Sequence, residues 1–111
     1  MAQPFDDILV DVAKLRDYCL SDSHPRGRHK ARVFRARLGL TSADAGLLRQ
    51  ALLDAARNRA GDLRSTDADV FGQRYVLDFG MTTATATATL RSAWIVLAGE
   101  NVLRLTSCYV L

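Results

Sequence analysis

Apolar residues recur at helical spacing in the first half of the chain and at strand spacing in the second. Val12, Leu15, Cys19 and Leu20 fall near every third or fourth position, which predicts a short helix over Val12 to Leu20. The run Ile8 to Asp11 ahead of it reads either as a first strand or as the lead into that helix. Ser21 to Gly27 is polar and holds His24-Pro25. Proline disfavours helix at the residue before it, so this segment reads as a loop with His24 extended and held. Arg28 to Leu38 predicts a second helix, with Ala31, Phe34 and Leu38 on one face and Val33 beside them. Gly39 stops it. Thr41 to Asp44 opens a third helix, with Ser42 as N-cap and Asp44 in the first turn. Leu47, Leu48, Ala51, Leu52 and Ala55 form its apolar stripe, and Gly61 ends it. Gly61 to Asp69 is polar and reads as turns.

The period then changes to two. Tyr75, Leu77 and Phe79 alternate with Arg74, Val76 and Asp78. Thr and Ala alternate from Ala84 to Thr89, and threonine's branched Cβ suits a strand that continues to Leu97. Gly99 to Asn101 is a turn, and Val102 to Val110 is a last strand. Helices first and strands second is the α+β order. The expected fold is α+β, with N-terminal helices packed on a small antiparallel β-meander in two layers, and 1–111 as a single domain.

Composition changes this picture little. The 111 residues are 49% hydrophobic and 24% charged, enough for one core. Met1 to Val10 has no basic n-region, and no apolar run approaches the roughly 20 residues of a membrane span, so a cytoplasmic protein is expected. Cys19 and Cys108 are two thiols in no metal-ligand spacing. They read as reduced core residues rather than a disulfide, and neither a metal nor another cofactor is expected.

Charge changes it more. Ser23 to Ala43 has no acidic residue and carries His24, Arg26, Arg28, His29, Lys30, Arg32, Arg35 and Arg37. The chain is formally +3 and this stretch supplies six Lys and Arg, so the remainder is net negative. Such a basic segment is a footprint for a polyanion, and its histidines exchange protons near neutral pH. Strand alternation aims Arg104, Thr106 and Cys108 one way, and Leu103, Leu105, Ser107 and Tyr109 the other. These parts suit metal-independent cleavage of RNA. A base deprotonates the 2′-hydroxyl, an acid protonates the leaving 5′-oxygen, and cations hold the developing dianion. The candidate catalytic residues are His24, His29, Lys30, Arg104 and Thr106. The candidate RNA-binding residues are Arg26, Arg28, Arg32, Arg91 and Trp94, the last by stacking a base. Each has a plainer alternative: a basic helix is often a solvated face, Trp94 a core residue, and Arg104 a partner of Asp78 or Glu100.

Three blocks carry a resemblance: His24 to Phe34 (His-Pro-Arg-Gly-Arg-His-Lys-Ala-Arg-Val-Phe), Ser92 to Val96 (Ser-Ala-Trp-Ile-Val) and Arg104 to Tyr109 (Arg-Leu-Thr-Ser-Cys-Tyr). They resemble a family of small uncharacterised bacterial domains, found alone and as C-terminal modules, over about Val10 to Leu111. Leu103 stands where that family favours a proline. More distantly, the layout is similar to the barnase–EndoU–colicin–RelE group of ribonuclease toxins. That similarity implies a metal-independent endoribonuclease, the toxin of a toxin–antitoxin pair, with Lys30, His29, Arg104 and Thr106 in the catalytic roles. RNA and an acidic antitoxin are the partners it implies. Tyr109 belongs to the same block but falls on the strand face opposite Thr106. The alternative is a non-catalytic basic domain that binds nucleic acid or an acidic protein. A third reading, an immunity-type protein, ranks last because such proteins present the opposite charge. An exposed Thr-rich edge strand would pair with a second copy as a homodimer.

Overall fold

A computed structural model describes residues 5–111. The elements are β1 (Asp7–Leu9), α1 (Val12–Lys14) running into a π-helical turn (Leu15–Cys19), α2 (Arg28–Leu38) and α3 (Ala45–Asn58). The strands β2 (Arg64–Asp69), β3 (Gly72–Thr82), β4 (Thr87–Leu97) and β5 (Val102–Val110) follow. They form one sheet in the order β1-β5-β4-β3-β2, helices covering one face. The α+β class is therefore as the periodicity predicts. The sheet is larger than the expected meander and mixed, because β1 pairs in parallel with β5.

One core joins the layers. Phe34 and Leu38 of α2, and Leu48 and Leu52 of α3, meet Leu77, Leu90, Trp94, Leu103 and Cys108 of the sheet. Such burial is the main favourable term in folding. The α3 stripe is rotated from the expected one: Leu53 and Ala56 are buried, whereas Leu47 is 55% exposed. Its entry is a capping box on Thr41, not Ser42, with the Asp44 carboxylate accepting from the Thr41 backbone N–H at 2.8 Å. Gly39 ends α2 at φ 70°, as glycine past a helix end does.

Two further expectations change. Arg64 to Asp69 is strand β2 rather than turns. Ala84 to Ala86 belongs to the β3–β4 hairpin turn rather than to a strand. The Thr83 hydroxyl accepts from the Thr85 N–H at 3.2 Å, which turns the chain. It also donates to the Leu38 carbonyl at 2.8 Å, tying the hairpin to the end of α2. The Thr-rich strand β4 lies between β3 and β5, so it is not the edge that a homodimer would use. Among the described residues, no helix is long and apolar enough to cross a membrane.

Candidate functional site

β1 covers β5 only from Val102 to Arg104, so among the described residues the outer edge of β5 beyond Arg104 has no strand partner. The π-helical turn and the start of α2 pack there, and the Lys14 ammonium donates to the Leu105 carbonyl at 3.5 Å. The strand is irregular at this point. Ala93 pairs with Ser107 and Trp94 with Leu105, which leaves Thr106 as the extra residue of a β-bulge. Its hydroxyl donates to the Ala93 carbonyl at 3.0 Å. A bulge shifts the alternation by one. Leu103, Leu105, Cys108 and Val110 face the core, and Arg104, Ser107 and Tyr109 face away from it. The expected grouping of Cys108 with Arg104, and of Ser107 with Leu105, is thereby corrected.

Lys30 reaches this edge from the first turn of α2. Its ammonium donates to the Ser107 hydroxyl at 3.1 Å. It lies 5.2 Å from the Tyr109 ring centre and 5.8 Å from that of Tyr18. Among the described residues no carboxylate pairs with it. A half-buried cation is thus fixed by neutral groups alone, which leaves its charge available to an anion.

His24 also packs on Tyr18. The two rings meet edge to face, 4.6 Å between centres. The His24 Nδ1 accepts from the backbone N–H groups of Arg26 and Gly27, both at 3.0 Å. That bonding puts the neutral ring's proton on Nε2, which has no partner among the described residues. The turn can close only because residue 27 is glycine: a side chain there would run into the Tyr18 carbonyl. His24, Tyr18, Thr106, Lys14, Asp11 and Asp17 line a cleft of about 530 Å³.

The other expected site residues lie elsewhere. His29, Arg26 and Arg28 are exposed. Arg32 lines a separate groove with Arg35, Thr41 and Ser42. On a helix of 3.6 residues per turn, Arg28, Arg32 and Arg35 point roughly 140–160° away from Lys30. The basic segment is therefore two faces, not one patch. Arg104 neighbours the cleft through Thr106 and Lys14, but its guanidinium is held by Glu100 at 3.0 Å. Arg91 makes a bidentate pair with Asp78, both bonds 2.8 Å, which raises the guanidinium's pKa and holds the carboxylate below its ordinary range. Trp94 is 1% exposed, its indole N–H donating to Ser92 Oγ at 2.8 Å, so it is a core residue and offers no face to a base.

Sequence reasoning missed Tyr18 and Ser107 and set Tyr109 aside. Their signal is the broken spacing Leu103, Leu105, Cys108, Val110, in which the apolar step lengthens from two to three at Thr106. Among the described residues, no group of three or more His, Cys, Asp or Glu side chains is placed to hold a metal.

The family model described as "Domain of unknown function (DUF6883)" matches residues 2–111, so the chain belongs to that family. Nothing in the match links it to ribonuclease toxins. No curated protein and no solved structure matches the chain.

Proposed function

We propose that this member of the DUF6883 family is a metal-independent endoribonuclease whose site is the Lys30 clamp at the edge of β5. The observation that carries the reading is the Lys30 ammonium, fixed between Tyr18, Tyr109 and Ser107 with no carboxylate among the described residues to neutralise it. A preorganised cation of this kind stabilises the charge that develops on a phosphorane. His24 supplies a second donor: Nδ1 is tied into the turn, and the Nε2–H is presented to a phosphate oxygen. Thr106 borders the cleft and donates to a phosphate oxygen when its bond to Ala93 is exchanged. Arg104 and Arg91, already paired, act at most as second-rank contacts, and His29 has no catalytic part. The toxin role adds growth arrest on expression, relieved by an acidic partner protein.

The test is incubation of wild type, Lys30→Ala and His24→Asn with total RNA in EDTA across a pH series. Asparagine keeps an acceptor for the turn and removes Nε2. Wild type should cleave. Lys30→Ala should lose about 10²–10³-fold, the range for a lost oxyanion-type donor. His24→Asn should lose about 10²–10³-fold, the range for a lost donor. Equal cleavage by all three proteins overturns the site assignment.

A second reading has its own observation: Arg28, Arg32 and Arg35 form a basic face away from His24 and Lys30. On that reading the domain binds RNA or an acidic protein without turnover. Salt-sensitive binding with no cleavage by wild type would select it.

A further inference from the structure

The sheet has a second incomplete edge, across β4 from the Lys30 clamp. β2 pairs with β3 only from Gly72 to Val76, so among the described residues the outer edge of β3 from Leu77 to Thr82 has no strand partner. Two hydrogen bonds that flank the β3–β4 ladder fix which groups lie on that edge. The Ala98 N–H donates to the Phe71 carbonyl at 2.9 Å, and the Thr83 N–H donates to the Ala86 carbonyl at 2.8 Å. The register between them is unbroken. Odd-numbered residues of β3 therefore point their backbone groups at β4, and even-numbered ones point theirs away. Asp78, Gly80 and Thr82 thus present their N–H and C=O groups outward, without a loop partner among the described residues.

A groove of about 380 Å³ runs beside this edge. Leu47, Ala51 and Ala55 of α3 line one wall, and Phe79 and Met81 of β3 line the other. Leu47 is the residue of the α3 stripe left 55% exposed. Asp54 lines the same groove. The Gln50 amide donates to its Oδ1 at 2.9 Å, and among the described residues no cation pairs with it.

We propose that the open edge of β3 docks an extended segment of a partner protein, basic and apolar in alternation, which adds to the sheet as a further strand. Backbone bonds to Asp78, Gly80 and Thr82 supply the affinity, and the groove selects the side chains. Side chains of the added strand that stand opposite Phe79 and Met81 point with them to the helix side and enter the groove. One is apolar and covers Leu47. The other, two positions away, is Lys or Arg and meets Asp54. The residue between them lies over Gly80 on the open face. A Cβ on that glycine would meet nothing within 4 Å, so a large side chain fits there. A second copy docked edge to edge would bring two unneutralised Asp54 carboxylates into one groove, which like-charge repulsion disfavours. This edge and the clamp lie on opposite sides of β4, so peptide docking stands apart from any RNA chemistry.

The experiment selects displayed random peptides against the immobilised full chain, then measures synthetic copies by fluorescence anisotropy and by amide hydrogen exchange. The free chain should sediment as a monomer, with the Asp78, Gly80 and Thr82 amides exchanging fast. Selected peptides should carry Lys or Arg two positions from an apolar residue and should slow exchange at those amides. Gly80→Pro removes an outward N–H and leaves the β4 ladder intact, so it should weaken binding about tenfold, the size of one backbone hydrogen bond. Asp54→Arg, on the exposed face of α3, leaves the backbone edge whole and should weaken binding of basic peptides most at low salt. If Gly80→Pro lowers the urea midpoint, Asp54→Arg and the amide protection carry the test. Failure to select any peptide overturns the proposal. Binding that leaves those amides exchanging fast, or that Asp54→Arg does not weaken, overturns it too. A free chain that is dimeric, with these amides already protected, overturns it in favour of a second copy.

Discussion

Gly27 is the residue on which the His24 turn depends. It presents its backbone N–H to the His24 Nδ1 and packs its bare Cα against the Tyr18 carbonyl, where no side chain fits. Gly27→Ala must therefore push the turn off the π-helical segment. Overpacking of this kind costs about 1–3 kcal/mol, expected as a lower midpoint in urea unfolding. Any RNA cleavage should fall as well, because the displaced turn carries His24, whose ring packs on Tyr18. Ser92 is a second such residue. Its hydroxyl donates to the Leu77 carbonyl at 2.7 Å and accepts from the Trp94 indole, all in the core. Ser92→Ala strands a buried N–H, and the expected loss is about 1–3 kcal/mol by the same measurement. A loss below the resolution of that measurement would mean that the core repairs the gap.

At the scale of elements, legibility tracked burial. Helix α2 was readable because its buried residues, Ala31, Phe34 and Leu38, sit at helical spacing beside a stop glycine. Strand β2 was not, because every residue from Arg64 to Asp69 is exposed and no apolar alternation exists to see. The Thr-Ala alternation misled because Thr83 spends its hydroxyl on a turn and on the end of α2. The bulge at Thr106 was legible only as one lengthened apolar step, yet it decides which β5 side chains reach Lys30. Deleting Thr106 should make Leu105 and Ser107 consecutive, as their partners Trp94 and Ala93 are, and give a regular strand that keeps Cys108 inward and Tyr109 outward. The expected outcome is a retained cooperative thermal transition; its loss would show that the strand needs the extra residue for more than its register.

The row Asp78, Arg91, Tyr109 crosses β3, β4 and β5 on the open face. Asp78 has its pKa lowered from an ordinary 3.8, chiefly by the Arg91 hydrogen bond. A depressed carboxylate contributes stability that is present above its unfolded pKa and is lost as pH falls through the folded value. Asp78→Asn should therefore flatten the fall in stability below about pH 4 and leave the slope near neutrality unchanged, measured by urea unfolding at stepped pH.

At the scale of the whole molecule, the net charge of +3 conceals two separate basic faces. Lys30 lies at the open edge of β5 against Ser107, Tyr109 and Tyr18, whereas Arg28, Arg32 and Arg35 lie on the far flank of the same helix. On the ribonuclease reading, a single RNA strand long enough to wrap α2 would touch both, and a short one only the clamp. Counterion release separates these cases, because each phosphate contact contributes about 0.7 to the slope of log affinity against log salt for a single strand. Lys30→Ala should reduce that slope by about 0.7, and the joint substitution of Arg28, Arg32 and Arg35 by alanine by about 2. The two effects should add, since the faces share no partner. Binding titrations of a single-stranded RNA at several salt concentrations give the slopes directly. If the triple variant keeps the wild-type slope while Lys30→Ala lowers it, RNA is held at the sheet edge alone and the far arginines are a solvated face. If the reverse holds, the far face does the binding and the clamp is not a phosphate site, which would remove the ground on which the ribonuclease reading stands.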